Sequence, residues 1–411
     1  MIFVQIAAYR DPELLPTIQD CLAKAEFPDD LRFGICWQTD AEDRSLEPFL
    51  DNDRFRIQRV PWHESRGLCW ARSEIQKLYE GEKFTLQLDS HHRFAPGWDR
   101  QLLEWMELCG SEKPILTSYA GVYEPGVSET PPSGPFKMVA DRFTPSGTIL
   151  FRPFHIPGWQ DLSAPIPARF VSGHFFFTLG RHCEDYKYDP QLYFAGDEIS
   201  LSIRSYTLGY DLFHPHRNVI WHEYTRIGRT KHWDDHKKTQ TEVQIEKAWH
   251  ERDLLSKRRL RKMLREEDND EVIGDYDLGT VRSHGDYERY AGIDFARRLL
   301  QRETVEGKDP PCTWIDEAQW ENGFAHKHRL SLKWQKSAIE ACEDLQSVYF
   351  GVEDACGKVL HRYDAPAESP EARGEVETRE VEITSATKPG KLVVWPVSRS
   401  RGWLRRTDYA L

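Results

Sequence analysis

The segment Asp89-Ser90-His91 carries two side chains that commonly bind metal ions. It follows Phe84-Thr85-Leu86-Gln87-Leu88, an apolar run that predicts a buried strand. An acid and a histidine two positions apart at the end of a strand project toward the same side. Together they can hold a divalent cation while leaving coordination positions open for an oxyanion such as a diphosphate. The triplet therefore predicts a DXD-like metal site.

His222 is the candidate for a third metal ligand. It ends the apolar run Val219-Ile220-Trp221, which predicts another strand with a histidine at its carboxyl end. A single histidine in such a place is more often structural than a ligand. His92 is expected to point away from the site, because side chains alternate along an extended chain. The nearby competitors for the ligand role are His214, His216, His232 and His236.

The segment from Arg66 to Arg72 opens a predicted helix, with Gly67 at its start. A glycine lets a ligand approach the backbone closely, and the N-terminus of a helix favours negative charge. Arg72 is therefore a candidate to contact a nucleotide or a phosphate. The simpler interpretation is a glycine that only makes a turn. The functional interpretation is favoured by the position of this segment, one element before Asp89.

Two further motifs predict polar groups beside a ligand. Gly173 precedes the aromatic run Phe175-Phe176-Phe177, which is either plain core packing or a backbone approach to the ligand. Asp197 and Glu198 follow Gly196 at the start of a predicted helix, where acids also complement the helix dipole. Apolar residues one turn further on keep that helix on the core. One of the two acids is thereby left to face a cleft, where it can bind hydroxyl groups or assist a reaction.

These motifs lie on alternating strand and helix patterns. Strands separated by helices of this length predict an α/β domain with a largely parallel sheet, and such sheets bind ligands at the carboxyl ends of their strands. Asp89 and the segment Ala8-Tyr9-Arg10-Asp11 lie at two such ends. The predicted strands cover residues 2–7, 31–37, 55–60 and 84–88, and the predicted helices cover 12–24, 68–79 and 98–108.

The rest of the chain changes in character. Residues 119–170 are rich in Pro, Gly and Ser and are predicted to be irregular. Residues 241–268 show a long charged helical pattern that contains the basic stretch 257–262. Short strands near the end predict a small β-rich module. We expect an α/β domain over 1–300, a linker or helical connection over 301–332 and the β-rich module over 333–411.

Composition excludes several classes of protein. The chain has 411 residues and a formal charge of -12, which disfavours a sequence-independent nucleic-acid binder. The sequence has no apolar run of the roughly 20 residues that a membrane-spanning helix needs. The N-terminal residues predict the first strand and not a signal peptide. The eight cysteines form no C-x-x-C pair, which predicts reduced thiols and a cytoplasmic protein.

Four segments together resemble the hydroxyproline-polypeptide α-N-acetylglucosaminyltransferase family. They are residues 2–11, 67–72, 89–94 and 196–198, and the resemblance extends to about residue 295, including 287–292. It implies a retaining, cytoplasmic glycosyltransferase of the Rossmann-like GT-A fold that uses UDP-N-acetylglucosamine and a divalent metal ion. The β-rich C-terminal module departs from that family.

The chain is more distantly similar to the mucin-type polypeptide N-acetylgalactosaminyltransferases. They share an Asp-Ser-His triplet, a later helix with an acid and an arginine after a glycine, and a downstream metal-binding histidine. The resemblance implies Mn²⁺ or Mg²⁺ bound by Asp89, His91 and His222, and Asp197 and Glu198 as catalytic candidates. The residues expected around the UDP-sugar are Ala8, Tyr9, Arg10, Asp40, Gly67, Arg72, Asp89 and Gly173.

We therefore expect a transferase that moves N-acetylglucosamine, or a related sugar, from a UDP-sugar to an acceptor hydroxyl. The first candidate for the acceptor is a protein. One alternative keeps the transferase and makes the acceptor a glycan or another non-protein molecule. Only the basic stretch 257–262 favours an anionic acceptor. Another alternative is a non-catalytic carbohydrate-binding protein whose C-terminal module is the binding unit.

Overall fold

The computed structural model describes residues 1–128, 130, 133–144, 146–225, 229–237, 245–339, 342–385 and 387–411. The chain divides into two compact units. Unit 1 consists of residues 1–298 and 307–312, and unit 2 consists of residues 299–306 and 313–411. The sequence predicts three domains or connections with limits at residues 300 and 332. These limits stay predictions.

Unit 1 contains both helices and strands. Its strands are β1 Ile2–Tyr9, β2 Leu31–Thr39, β3 Phe55–Pro61, β4 Phe84–Asp89, β5 His92–Phe94, β6 Pro114–Thr117, β7 Gly121–Val122, β8 Phe136–Phe143, β9 Ile149–His155, β10 Ile166–Pro167, β11 Phe175–Leu179, β12 Asp211–His214, β13 Ile220–His222 and β14 Ile293–Asp294. Its helices are α1 Leu14–Lys24, α2 Leu68–Gln76, α3 Trp98–Leu108, α4 His182–Asp185, α5 Asp197–Thr207, α6 His232–Asp235, α7 Trp249–Met263 and α8 His284–Ala291.

An eight-stranded sheet, in the described residues, forms the centre of unit 1 in the order β10-β12-β6-β11-β4-β1-β2-β3. The neighbours β4, β1, β2 and β3 are parallel, and β6 is parallel to β12. β11 runs antiparallel between β4 and β6, and β10 is antiparallel to β12. The sheet is thus largely parallel, as predicted, and the carboxyl ends of β1, β2 and β4 meet at one edge.

Helices cover this sheet on both faces because β1 is apolar on both sides. Val4 and Ile6 belong to a core cluster that includes Ile18 of α1 and Leu102 of α3. The alternate residues Phe3 and Ala7 belong to a second cluster with Ala71 and Ile75 of α2. A strand with two apolar faces is typical of a parallel sheet between two helical layers. Burial on both faces fixes the register of the strand, so the position of its carboxyl end is also fixed.

Two smaller sheets complete unit 1. β13 lies between β5, to which it is antiparallel, and β7, to which it is parallel. β8 and β9 form an antiparallel hairpin with a register shift between Ala140 and Arg142. This hairpin lies in the region predicted to be irregular. The bulge and the neighbouring Pro and Gly residues interrupt the alternation that predicts a strand.

The charged helix predicted over residues 241–268 is shorter in the structure. It is α7, Trp249–Met263, and residues 241–244 lie outside the described part of the chain. Just beyond its C-terminus, Arg265 has a φ of 58°, a left-handed conformation that a continuing α-helix does not allow. Charged residues continue past this point, so the residue pattern contains no sign of the helix end.

Unit 2 is mainly β-structure. Its elements are β15 Leu299–Leu300, α9 Arg302–Glu306, α10 Glu317–Gly323, β16 His326–Lys333, β17 Leu345–Asp354, β18 Val359–Pro366, β19 Thr378–Ser385, β20 Pro389–Ser398, β21 Gly402–Trp403 and β22 Thr407–Ala410. β16 pairs with β19, while β18, β17, β20, β21 and β22 form one antiparallel sheet. The inner faces of both sheets share an apolar core that includes Leu332, Val348, Phe350, Ile383 and Val394.

The described residues contain no helix with the length and apolarity needed to cross a membrane.

Candidate functional site

Asp89, His91 and His222 form the cluster at the carboxyl edge of the sheet. Each offers one ligand atom, and these atoms all lie within 4.8 Å of one another. Nε2 of His222 is 3.5 Å and Nε2 of His91 is 3.9 Å from Oδ2 of Asp89. One carboxylate oxygen and two imidazole nitrogens at these separations suit a divalent cation that keeps positions open for another ligand.

The short sheet β5-β13-β7 brings His222 to this place. His222 lies opposite His92 in the β5–β13 pair, directly beside the chain that carries Asp89 and His91. His92 is fully buried and its Nδ1 lies 3.0 Å from the carbonyl oxygen of Trp221. Its ring therefore lies outside the cluster, as the alternation of side chains predicts.

The competing histidines contact other groups. Their contacts are His214 with the carbonyl of Thr117, His216 with the ring of Trp105, His232 with the hydroxyl of Tyr193 and His236 with the carbonyl of Trp62. His222 is therefore the histidine of this group that joins Asp89 and His91.

The ionisation of the cluster favours metal binding. Burial raises the pKa of Asp89, but the long hydrogen bond from His222 and the charge of Arg72 outweigh it, so that the net pKa lies well below its usual range. Burial and the neighbouring His91 lower the pKa of His222 to about 4. Asp89 is therefore ionised and His222 neutral at neutral pH, the states that a cation requires. Within the described residues, both ring nitrogens of His222 are buried polar atoms without a well-formed hydrogen bond.

Asp11 orients His91. Its Oδ2 lies 2.8 Å from Nδ1 of His91, which directs Nε2 of the same ring toward Asp89. Nη1 of Arg229 also contacts both Asp11 and His91. Burial raises the pKa of Asp11, but the hydrogen bond with His91 outweighs it, and the net pKa is lowered. A carboxylate behind a metal-binding histidine fixes the ring and increases its basicity.

Arg72 connects Asp89 to the other acid of the site. Its Nη2 donates to Oδ1 of Asp89 at 3.1 Å and to the carbonyl of Gly173 at 2.6 Å, and its Nη1 forms an ion pair with Asp197. Only 2% of the Arg72 side chain is exposed. Its guanidinium group has these protein partners and also lines the second cavity, so the predicted contact of Arg72 with a nucleotide or a phosphate stays a prediction. The same contacts hold Asp89 and Asp197 in place.

The structure distinguishes between Asp197 and Glu198. Asp197 is buried and paired with Arg72. Glu198 is partly exposed; it accepts hydrogen bonds from the hydroxyl of Tyr119 at 3.0 Å and from the backbone N–H of Gly173 at 3.1 Å. Although part of the residue is exposed, the protein around its carboxyl group excludes water and raises the pKa of Glu198 to about 7. A carboxyl group with this pKa can give or take a proton near neutral pH, whereas Asp197 is committed to an ion pair.

Two cavities meet at Asp89. The first has a volume of about 140 Å³ and lies against the carboxyl ends of β1 and β2. The second has a volume of about 550 Å³ and lies against α5, β9 and β13. Both are lined by Asp89, Leu68 and Phe194. The first cavity is further lined by Tyr9, Gln38, Gly67, Tyr193, Lys231 and His232.

The second cavity has a polar floor and an apolar wall. Glu198, His222 and Gly173 lie at its floor. Its wall includes Phe136, Ile149, Leu150 and Phe151 of the β8–β9 hairpin together with Val122. Val122 is 48%, Leu150 41% and Phe194 41% exposed, so this cavity carries exposed apolar surface. Exposed apolar surface at a cavity is typical of a ligand-binding site.

The residues predicted to surround the UDP-sugar lie in different places. Tyr9 and Gly67 line the first cavity and Gly173 lines the second. Ala8 packs in the core on one face of β1. Ala7, on the opposite face, lines the first cavity instead of Ala8. Arg10 and Asp40 form an ion pair at 3.1 Å, and Arg10 also pairs with Asp235 at 2.8 Å. Among the described residues that line the cavities, Ala8, Arg10 and Asp40 are not found.

Several residues of the site are not predicted by the sequence. The sequence shows Asp11 only as a residue at the end of a predicted strand, and Tyr119 likewise follows β6. Their position after a strand is therefore a weak indication that either residue belongs to the site. Tyr193, Lys231 and His232 lie outside any strand pattern, and the chain brings them to the first cavity from far along the sequence. Contacts of that kind leave no trace in local spacing.

Comparisons with known proteins agree with this architecture. A family model described as Glycosyltransferase (GlcNAc) matches residues 1–50 and 45–297. No curated protein matches the chain. A crystal structure of GalNAc-T7 with UDP, GalNAc and Mn²⁺ is similar over 98% of this chain and 68% of that chain, with 12% identity and a TM-score of 0.52.

A crystal structure of Staphylococcus aureus TarS, residues 1–349, in complex with UDP-GlcNAc is similar over 57% of this chain. The similarity covers 60% of that chain, with 16% identity and a TM-score of 0.36. The likeness to GalNAc-T7 together with the mixed sheet identifies the GT-A fold, as predicted. Because the family model matches well over half of its residues, the chain belongs to the Glycosyltransferase (GlcNAc) family.

Proposed function

We propose that this protein is a metal-dependent, retaining transferase that moves N-acetylglucosamine from UDP-N-acetylglucosamine to an acceptor hydroxyl. The observation that carries the proposal is the cluster of Asp89, His91 and His222 at the junction of two cavities. A donor diphosphate at this junction would have its nucleoside in the first cavity and its sugar in the second. The family description supports the choice of sugar.

The first cavity offers the features that a nucleoside diphosphate needs. Tyr9, Tyr193 and His232 form an aromatic wall, with ring centroids about 5 Å apart, against which a uracil ring can stack. Gly67 presents backbone at the N-terminus of α2, and Lys231 adds a cation that can meet phosphate oxygens. GalNAc-T7, which has the same fold, was crystallised with UDP and Mn²⁺, which supports the same donor type and metal here.

Asp89, His91 and His222 would hold Mn²⁺ or Mg²⁺. When bound, the ion neutralises negative charge that develops on a diphosphate leaving group. The nitrogens of His222, which lack a well-formed hydrogen bond, and the carboxylate behind His91 support this assignment. Arg72 keeps Asp89 in position by its hydrogen bond, so the carboxylate does not have to reorganise when its ligand arrives.

The residues of the second cavity support a transfer in which the acceptor approaches the same face of the sugar that the leaving group departs from. The carboxylate of Asp197 is held in an ion pair with Arg72 and is therefore a poor covalent nucleophile. Glu198 lines the second cavity and is held there by the N–H of Gly173 and the hydroxyl of Tyr119, so the remaining lone pairs of its oxygens can bind a sugar hydroxyl or the incoming acceptor. We infer front-face transfer with retention, in which the leaving phosphate takes the acceptor proton.

The proposed acceptor is a hydroxyl on a protein side chain with an apolar body, such as hydroxyproline. The apolar wall of the second cavity supports it, because a pyrrolidine ring buries well against aromatic and aliphatic side chains. The basic stretch of α7 gives no support to an anionic acceptor. Its cations pair with acids: Lys257 with Asp253, Arg258 with Asp270, Arg259 with Asp189, Arg261 with Glu267 and Lys262 with Asp268.

The proposal is tested by measuring donor hydrolysis in a panel of UDP-sugars with Mn²⁺. We expect slow hydrolysis above background, fastest with UDP-N-acetylglucosamine. Asp89→Ala is expected to abolish hydrolysis and Mn²⁺-dependent UDP binding while its circular dichroism spectrum stays that of the wild type. Asp29→Ala, at a fully solvated carboxylate, serves as the control and should hydrolyse the donor normally. Equal hydrolysis in excess chelator, or by Asp89→Ala, would contradict the proposal.

A further inference from the structure

The strand β9 lies at an open edge of the β8–β9 hairpin. In the described part of the chain, β9 pairs with β8 and with no other strand. β8 is the inner strand, and its residues 137–140 are buried. β9 is the outer strand, in which Leu150, Pro153 and His155 are exposed. The outer edge of β9 is therefore one that another chain can reach.

The hydrogen bonds of the hairpin fix which backbone groups of β9 point outward. The N–H of Met138 donates to Nε2 of His214 at 3.4 Å, away from β9. Met138 and its partner Pro153 therefore form a pair without mutual hydrogen bonds, which suits a proline because it has no N–H. Outward and inward groups alternate along a strand, so the N–H and C=O of Phe151 also point outward. Among the described residues, neither group of Phe151 has a hydrogen-bond partner beyond the hairpin.

The second cavity runs along this edge. It is lined by Ile149, Phe151 and Pro153, whose side chains share one face of the hairpin. It is also lined by Leu150, whose side chain belongs to the other face. A cavity that is lined from both faces of a strand includes the edge between them. The same cavity is lined by Glu198, so a chain bound along the edge of β9 lies beside the candidate residues for the transfer.

We propose that the acceptor is a polypeptide that binds in an extended conformation by pairing its backbone with the outer edge of β9. This inference rests on the proposed transferase function and names the form in which the protein acceptor binds. An extended peptide presents N–H and C=O groups to one side at every second residue, which is the spacing of Phe151 and Pro153. A glycan has no such repeat of donors and acceptors. The pairing uses main-chain groups, so it tolerates many acceptor sequences.

The pairing also fixes the position of a hydroxyproline in the peptide. Hydroxyproline has no N–H, so it fits a peptide position whose backbone points away from β9. Its two neighbours in the peptide then face the edge, and the next residues on either side point away again. N-methylation, which removes an N–H, should therefore weaken binding at the neighbours and not at the next residues.

The test screens the full chain, without donor, against a library of peptides about as long as β9 that carry hydroxyproline at the centre and mixed residues elsewhere. The peptide that is retained best is then titrated calorimetrically. N-methylation of either neighbour of hydroxyproline should weaken binding at least about tenfold, because it removes a hydrogen bond and places a methyl group against the strand. N-methylation of the next residue on either side is the matched control and should change the affinity by less than about twofold.

A pair of protein variants tests the same contact from the other side. Phe151→Pro removes the outward N–H, and Phe151→Ala is its control because it also removes the ring but keeps the N–H. Pro153 shows that β9 accommodates a proline in this orientation. Phe151→Pro should bind the peptide at least about tenfold more weakly than Phe151→Ala. Thermal unfolding of both variants verifies that they fold.

The other outcomes overturn the inference. If no peptide is retained, or if N-methylation acts equally at all these positions, β9 does not pair with an acceptor. Equal affinities of two folded Phe151 variants would place the peptide elsewhere, and should Phe151→Pro unfold, the N-methylation pattern decides. Binding of chitotriose in place of any peptide would show a glycan acceptor.

Hydrolysis of UDP-N-acetylglucosamine, measured in parallel, separates this inference from the proposed function. Donor hydrolysis without peptide binding overturns the pairing at β9 and leaves the transferase function standing. Peptide binding with the alternating N-methylation pattern, but with no hydrolysis of any UDP-sugar, supports the pairing and contradicts the transferase function.

Discussion

Asp89 is held from two sides by residues with different tasks. Arg72 fixes the carboxylate from the side of the second cavity, and His91 is oriented toward it by Asp11. Arg72 and His91 are buried, so each contact is worth more than the same pair would be in water. The properties of the cluster therefore depend on residues outside it.

Asp11→Asn should weaken Mn²⁺ binding by about 10- to 100-fold, because the ring of His91 loses the carboxylate that orients it. The measurement is a Mn²⁺ titration by electron paramagnetic resonance, which needs no substrate. Asp29→Asn, at a side chain that is 99% exposed, is the matched control and should bind as the wild type does. Unchanged Mn²⁺ affinity in Asp11→Asn would refute the role assigned to Asp11.

Glu198 leads to a prediction about pH. Its pKa is about 7 in the folded protein against an ordinary 4.5, so the folded state keeps a proton that the unfolded chain has lost. The free energy of unfolding should therefore fall as pH rises through this window. Glu198→Gln removes the titration, so its stability relative to the wild type should rise with pH, by at most about 3 kcal/mol.

Urea unfolding from about pH 5 to about pH 8 measures this difference. Glu107→Gln, at an exposed position of α3, should follow the wild type across the same range. If Glu198→Gln and the wild type keep a constant difference in stability at all pH values, burial does not raise the pKa of Glu198.

Among the structural elements, the start of α2 shows how one turn serves both the fold and the site. Gly67 has a φ of 110°, and a Cβ atom there would lie 2.6 Å from the ring of Tyr193. The N–H of Leu68 donates to the carbonyl of Tyr193 at 3.1 Å, which ties the helix to a segment distant in sequence. The close approach allowed by glycine brings Tyr193 to the first cavity.

Gly67→Ala should destabilise the protein by about 1–3 kcal/mol and reduce the thermal shift caused by UDP, since it adds both backbone strain and a clash. Gly81→Ala is the matched control. Gly81 also has a positive φ, of 92°, but no atom of the described residues lies within 4 Å of the position that a Cβ atom would take. Gly81→Ala should lose stability through backbone strain alone and should keep the full thermal shift caused by UDP. Equal effects of the two substitutions would mean that contact with Tyr193 does not matter.

In the molecule as a whole, ligand binding and stability are linked. A ligand that binds only the folded state, at 100 times its dissociation constant, should stabilise it by about 2.7 kcal/mol. Differential scanning calorimetry with Mn²⁺ and UDP-N-acetylglucosamine should show an increase of this size, and excess chelator should remove it. UDP alone in buffer free of divalent ions is the control and should give a smaller shift. A shift that survives chelation would argue that donor binding needs no metal.

Much of the α/β architecture could be predicted from the sequence. α3 is predicted at its observed limits, and β1, β2 and β3 extend only a few residues beyond their predicted ends. These elements have strong apolar periodicity because they pack in the central sheet or against it. The β8–β9 hairpin is missed because one side of it lines a cavity, so its alternation of apolar and polar residues is weak.

Local sequence dictates the types of the proposed metal ligands and their place, since Asp89 and His91 are near neighbours at the end of a buried strand. It also suggests His222, but only the short sheet β5-β13-β7 carries that histidine to the cluster. Folding alone establishes that Asp197 pairs with Arg72 while Glu198 contacts Tyr119 and Gly173, and that Asp11 orients His91. The physical reason is that ion pairs and pKa shifts depend on distance and burial, which residues far apart in the chain acquire only when the chain folds.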